Sequence, residues 1–141
     1  MMISTRGRYV LRVLADLAEH SSGEYIPMKD IAERQELSFI YIEMIMPVLT
    51  KAKMVDGLHG KGGGYRLNRA PEDYKIGEIL RLTEGTLAPV HCLEEGRETC
   101  ERAATCRTLS MWERFNALTN AFFDSVTLAD LLPQQEKREG D

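Results

Sequence analysis

Between residues 59 and 64 the chain reads His-Gly-Lys-Gly-Gly-Gly, four glycines in six positions. A glycine inside a helix costs about 1 kcal/mol relative to alanine, and glycine weakens a strand interior as well. Neither element can run through this stretch, so the chain must turn there. Met54-Val55-Asp56-Gly57-Leu58 precedes it and Tyr65-Arg66-Leu67 follows it. Two short strands about a flexible tip predict a β-hairpin.

Three helices are expected ahead of that hairpin. The first begins at Thr5 as its cap and runs to about His20, with Tyr9, Val10, Val13, Leu14, Leu17 and Ala18 as its apolar stripe. Ser21-Ser22-Gly23 ends it, and Tyr25-Ile26-Pro27 reads as an extended link. A second helix spans Met28 to about Gln35. Glu36-Leu37-Ser38 is a tight turn, and Ser38 is placed to cap a third helix over residues 39–52. On that helix Phe39, Ile42, Ile45, Met46 and Leu49 share one face, while Ile40, Tyr41, Glu43 and Met44 share the other. Pro47 lies inside it and predicts a kink or an early end, because a proline there removes a hydrogen bond.

The second half is organised differently. Residues 75–84 suggest a short helix, residues 85–107 have little periodicity, and Leu109 to Val126 is helical again through Leu109, Trp112, Phe115, Leu118, Phe122 and Val126. Thr127 caps a final turn. The expected organisation is a DNA-binding domain over 1–84, a cysteine loop over 85–107, a dimerisation helix with its C-terminal turn over 108–132, and a disordered tail over 133–141. The fold class is mainly α with a small β-hairpin wing: a winged helix-turn-helix plus a long dimerisation helix.

Charge follows the same division. The net charge of −4 argues against nucleic acid, but residues 1–69 carry ten Lys and Arg against eight Asp and Glu, and residues 70–141 carry eight against fourteen. The basic balance thus sits with the helix-turn-helix. No apolar run approaches the roughly 20 residues of a membrane helix, and no secretory segment is evident at the start, so a cytoplasmic protein with no membrane partner is expected.

In a winged helix-turn-helix the recognition helix enters the major groove with its N-terminal residues at base edges. Those residues here are Ser38, Ile40, Tyr41 and Glu43. A serine can bond several edges, a glutamate accepts from cytosine N4, and an apolar side chain can meet a thymine methyl. His59 and Lys61 stand at the glycine tip with no bulk around them, as a minor-groove or phosphate probe needs. Arg6, Arg8, Lys51 and Lys53 are further candidates for phosphate.

Cys92, Cys100 and Cys106 fall within 15 residues. An odd number of cysteines without an export signal makes a poor disulfide framework. Clustered thiolates suit zinc or an iron–sulfur cluster, both of which normally want four ligands. His91 would complete a zinc set, and Glu94, Glu95, Glu98 and Glu101 are harder ligands nearby. Arg97, Arg102 and Arg107 should lower the thiol pKa values.

Thr5-Arg6-Gly7-Arg8-Tyr9, Ser38-x-x-Tyr41-x-Glu43, the Gly60-to-Tyr65 wing and three cysteines ahead of a long helix resemble the Rrf-two superfamily of bacterial regulators. The resemblance spans about residues 2–132. It is closest to the iron–sulfur cluster regulator (IscR) branch, with likeness also to the nitric-oxide-sensing (NsrR) branch. It implies a homodimer crossing through the long helix, operator DNA as partner, Ser38, Tyr41 and Glu43 as base readers, and Cys92, Cys100 and Cys106 as cluster ligands. A 2Fe–2S cluster is favoured, with 4Fe–4S the other form. The IscR branch takes a histidine three residues after its last cysteine, where this chain has Leu109. The fourth ligand is left open between His91, Glu98 and a small molecule.

The resulting expectation is a transcription regulator that senses iron–sulfur, redox or nitric oxide status through a cysteine-ligated cluster. A zinc site or thiol switch at the same cysteines is the alternative. No P-loop, no Ser-His-Asp set and no α/β pattern points to an enzyme, and a winged helix serving only protein contacts is the remaining class.

Overall fold

The computed structural model describes residues 2–133. Its elements are α1 (Thr5–Glu19), α2 (Met28–Gln35), α3 (Phe39–Lys51), β1 (Val55–Leu58), β2 (Gly64–Leu67), α4 (Ile76–Glu84) and α5 (Leu109–Ser125), with short 3-10 turns at Pro71–Asp73, His91–Leu93 and Leu128–Leu131. The expected order of helices and hairpin is the observed one. The tail expected to be disordered lies, from Gln134 onward, outside the described residues.

The cap of α1 is Ser4, not Thr5. The Ser4 hydroxyl accepts the Gly7 N–H at 3.0 Å, and its carbonyl accepts the Arg8 N–H at 3.1 Å. Glu84 completes the arrangement by accepting the Ser4 N–H at 2.6 Å and its hydroxyl at 2.8 Å. A carboxylate at a helix N-terminus also meets the positive end of the helix dipole.

The chain divides into two compact units. Among the described residues, one is built from residues 2–11 with Lys75–Val126, the other from Arg12–Tyr74 with residues 127–133.

In the second of these, Val13, Leu14 and Leu17 of α1 are buried, as are Ile31 of α2 and Ile42, Ile45, Met46 and Leu49 of α3. Asp16 is buried with them and accepts from both arms of the Arg34 guanidinium, at 2.7 and 3.0 Å, and from the Gln35 amide at 2.9 Å. These bonds hold Arg34 above its already high ordinary pKa, and they tie α1 to the end of α2. Helix α2 ends at Glu36 in the left-handed region, φ 54° and ψ 43°, and the Leu37 N–H reaches back to the Ala32 carbonyl at 3.0 Å. Ser38 occupies the N-cap position of α3, but its side chain makes no capping bond. Helix α3 runs on through Pro47 to Lys51, so of the two outcomes expected at the proline, a kink or an early end, the early end does not occur. Pro47 is exposed, so the backbone carbonyl it leaves without an intrahelical donor falls on the solvated side, while the apolar residues on the opposite face are buried.

Strands β1 and β2 pair antiparallel, with Val55 opposite Leu67 and Leu58 opposite Gly64. The extended link adds one rung: the Ile26 N–H donates to the Tyr65 carbonyl at 2.8 Å, and the Tyr65 N–H donates back at 2.9 Å. That approach requires glycine next door. A Cβ on Gly64 would stand 2.1 Å from the Ile26 carbonyl oxygen, and one on Gly63 would stand 2.2 Å from that of Leu58. Gly60 and Gly62, at the tip, have open space but φ of +91° and +78°. Tyr74, fully buried, donates its hydroxyl to the Met54 carbonyl at 2.6 Å and accepts the Asn68 N–H at 3.2 Å. The Leu128 N–H binds the Tyr74 carbonyl at 2.9 Å, so the last turn closes onto this unit.

In the first unit, α4 buries Ile76, Ile79 and Leu80 and packs on α5. Arg81 joins the two helices, donating to both Asp124 carboxylate oxygens at 2.8 and 3.0 Å and to the Asn120 side-chain oxygen at 2.7 Å. Gly77 makes room for this fork, since a Cβ there would lie 2.1 Å from Asp124 Oδ1. Among the described residues no helix is long and apolar enough to cross a membrane.

Candidate DNA-reading surface and cysteine segment

Burial of Ile42, Ile45, Met46 and Leu49 fixes how α3 is rotated. Residues 40, 43, 44 and 47 are therefore turned outward, because positions three and four apart share a helix face. Ser38, Ile40 and Glu43 are exposed and Tyr41 is half-buried, so all four expected readers gather on the first turns of one helix. Phe39, expected on the buried face, is instead partly exposed and borders a shallow depression with Lys29, Leu58 and His59. His59 and Lys61 are exposed at the hairpin tip, Lys51 is exposed as the last residue of α3, and Lys53 is exposed just beyond it. Arg66 stacks on Tyr25 at 4.3 Å and donates to the Gly23 carbonyl at 2.9 Å, bracing β2 against the link. Arg8 belongs to the other unit, is exposed on α1, and donates to the Thr5 hydroxyl at 3.1 Å.

Cys92, Cys100 and Cys106 are all exposed and free of disulfides. Apart from the turn His91–Leu93, their segment contains no helix or strand. The cysteines expected to form one ligand set are not brought together: among the described residues no three His, Cys, Asp or Glu side chains gather as a metal site. The physical reason is that nothing in the segment's own chemistry draws thiols into mutual contact. His91 is engaged elsewhere, its Nδ1 lying 3.0 Å from Glu94, which also accepts from Arg97 at 3.0 Å.

The donor set nonetheless fits a thiophilic group. It offers three soft ligands, each open to solvent, on a stretch with little regular structure to resist rearrangement. At Cys106 the surroundings favour the thiolate. Its pKa is lowered chiefly by the Thr108 hydroxyl, 3.5 Å from Sγ, then by the Thr108 N–H, with Arg102 contributing least. Hydrogen bonds therefore outweigh the arginines that the sequence singles out. Arg81, Asp124 and Asp16 went unnoticed in the sequence; a carboxylate inside an apolar stripe was the one available signal for Asp16.

The family model described as Rrf2, iron-dependent transcriptional regulator, matches residues 3–134. The chain belongs to the Rrf2 family. A Nitratidesulfovibrio vulgaris relative named protein rrf2 is 38% identical over 132 residues, covering 94% of this chain and 87% of its own length. The transcriptional regulator IscR of Aliivibrio salmonicida is 30% identical over 139 residues, covering 99% of this chain and 82% of its own. Among solved structures, T. potens IscR superposes with a TM-score of 0.71 at 36% identity, covering 93% of this chain and 85% of that one. The Rrf2 chain is thus a transcription regulator with a winged-helix fold, the class expected from the sequence, and both the family model and the Aliivibrio salmonicida relative are described as transcriptional regulators, not as enzymes.

Proposed function

We propose that this Rrf2 regulator binds operator DNA as a homodimer and senses iron–sulfur, redox or nitric oxide status through an iron–sulfur cluster held by Cys92, Cys100 and Cys106. The observation that carries the reading is three exposed thiols on a nearly irregular segment that runs directly into α5. When bound, such a cluster supplies an electron-accepting centre sensitive to oxidants and nitric oxide. Cys106 stands three residues before Leu109, the first residue of α5. Order imposed on the cysteine segment therefore reaches the helix proposed to pair the protomers.

On the DNA side, Ser38, Tyr41 and Glu43 would meet base edges in the major groove, with Ile40 beside them. His59 and Lys61 would reach the minor groove or phosphate, and Arg8 would hold phosphate. The test is anaerobic reconstitution of wild type and of Cys92→Ala, Cys100→Ala and Cys106→Ala, followed by duplex binding. Wild type should take up iron and sulfide with visible absorption, each variant should lose most of both, and operator affinity should depend on loading. Uptake of zinc alone, or affinity indifferent to loading, sinks the reading.

A thiol switch at the same cysteines is the second reading, favoured by the lowered pKa of exposed Cys106. It predicts a colourless anaerobic protein whose DNA affinity changes when Cys106 is alkylated.

A further inference from the structure

Helix α3 presents an unusual outward face for one that reads DNA. Ile40 is 69% exposed and Met44 is 66% exposed. Pro47 follows on the same face, and no Arg, Lys, Asn or Gln occurs between Phe39 and Thr50. The face therefore lacks the side chains that bind guanine or adenine in bidentate fashion. It offers one charged acceptor, Glu43, set between two large apolar side chains.

We infer that Ile40 and Met44 form a methyl-reading pair that contacts the C5-methyl groups of thymines in the major groove. This rests on the proposed placement of α3 in that groove and names the chemistry it selects. The thymine methyl is the one apolar group on a major-groove base edge, so it is the natural occupant for an apolar stripe there. The stripe is continuous with Glu43, and at the start of α3 the exposed Lys29 borders the same depression as Phe39 and His59, so a cation stands beside the face for a neighbouring phosphate. Residues four apart on a helix have Cβ atoms about 5–6 Å apart. That spacing exceeds the base-pair rise of about 3.4 Å along a strand by less than a second step, so the pair would address thymines in neighbouring base pairs. Glu43, accepting from a cytosine amino group, would fix the register.

The test starts from duplexes selected by the full-length protein from a random-sequence pool. Within the selected site, thymines are replaced one at a time by deoxyuridine, which removes only the methyl group. Replacement at two neighbouring positions should weaken wild type by about fourfold each, the worth of one buried methyl. 5-Bromouracil, which restores the bulk, should restore affinity. Ile40→Ser and Met44→Gln change exposed side chains, and a thermal melt checks that each is folded. In each variant one of the two deoxyuridine effects should vanish.

The inference is overturned if selected sites lack thymine within reach, if deoxyuridine has no effect at any position, or if both variants keep the wild-type response. It is also overturned if the variants dissociate a dimer and leave discrimination intact, since the face would then pair two copies. Glu43→Ala separates the two levels of failure. If it still changes base preference while deoxyuridine does nothing, α3 reads bases but not methyls. If no duplex is selected at all, the placement of α3 falls as well.

Discussion

Asp16 shows what a single residue can carry. Its carboxylate is fully buried and takes three donated bonds from Arg34 and Gln35. Asp16→Ala would leave those donors without their acceptor, at a cost of about 3 kcal/mol, below the top of the range for broken buried pairs because Arg34 is one-third exposed. Urea unfolding should show it, and a change under about 1 kcal/mol would mean that water replaces the carboxylate at little cost. Tyr74 adds a pH dependence. Burial raises its phenol above the ordinary 10.0, so the folded state holds the proton more tightly than the unfolded chain. That contribution is complete below pH 10.0 and is lost as pH rises through the folded value. Tyr74→Phe should cost about 1–2 kcal/mol at neutral pH by stranding the Met54 carbonyl. It should also flatten the alkaline fall in stability, and an equally steep fall in the variant would assign that fall to other groups. Neither role was legible in the sequence, because each depends on partners brought close only by folding. Ser4 was missed for a related reason: Thr5 caps equally well by type, and only the position of Glu84 decides between them.

At the scale of elements, sequence and structure agree closely wherever periodicity is local. Helices α2, α4 and α5 and both strands fall within a residue or two of expectation, since each is set by its own apolar spacing and flanking turn residues. Pro47 is the instructive exception. The local cost of a proline is real, but burial of Ile42, Ile45, Met46 and Leu49 outweighs it and α3 continues. Between α4 and α5 the controlling element is absence of a side chain. Gly77→Ala would drive a Cβ into Asp124 and break the Arg81 fork, costing about 1–3 kcal/mol. Removing the carboxylate first should relieve the clash. A double-mutant cycle with Asp124→Ala should therefore show strong coupling, and additive losses would mean that the helices part without disturbing the fork.

For the molecule as a whole, the outstanding surface feature is the apolar face of α5. Met111, Phe115, Leu118 and Phe122 are exposed at spacings of four, three and four, the rhythm of a helix packed along another helix. Leu118→Glu alters no buried contact of the protomer, so it should leave the melting of the monomer intact while lowering the dimer mass in sedimentation at micromolar concentration. A dimer that survives this change pairs through some other surface. The fold class could be read from sequence because it sums many local patterns. Cys92, Cys100 and Cys106 were legible as three clustered thiols, but the chain's own packing does not draw them together.

The glycines of the wing are of two kinds, and heredity should treat them differently. At Gly63 and Gly64 a carbonyl oxygen occupies the space of any side chain, whereas at Gly60 and Gly62 only the sign of φ stands in the way. Asparagine and aspartate tolerate that sign. A lineage can therefore rewrite the tip of the hairpin, trying new side chains there one generation at a time, while its root is frozen. A library randomised at all four positions and sorted for folded protein should return asparagine and aspartate at 60 and 62, and glycine alone at 63 and 64.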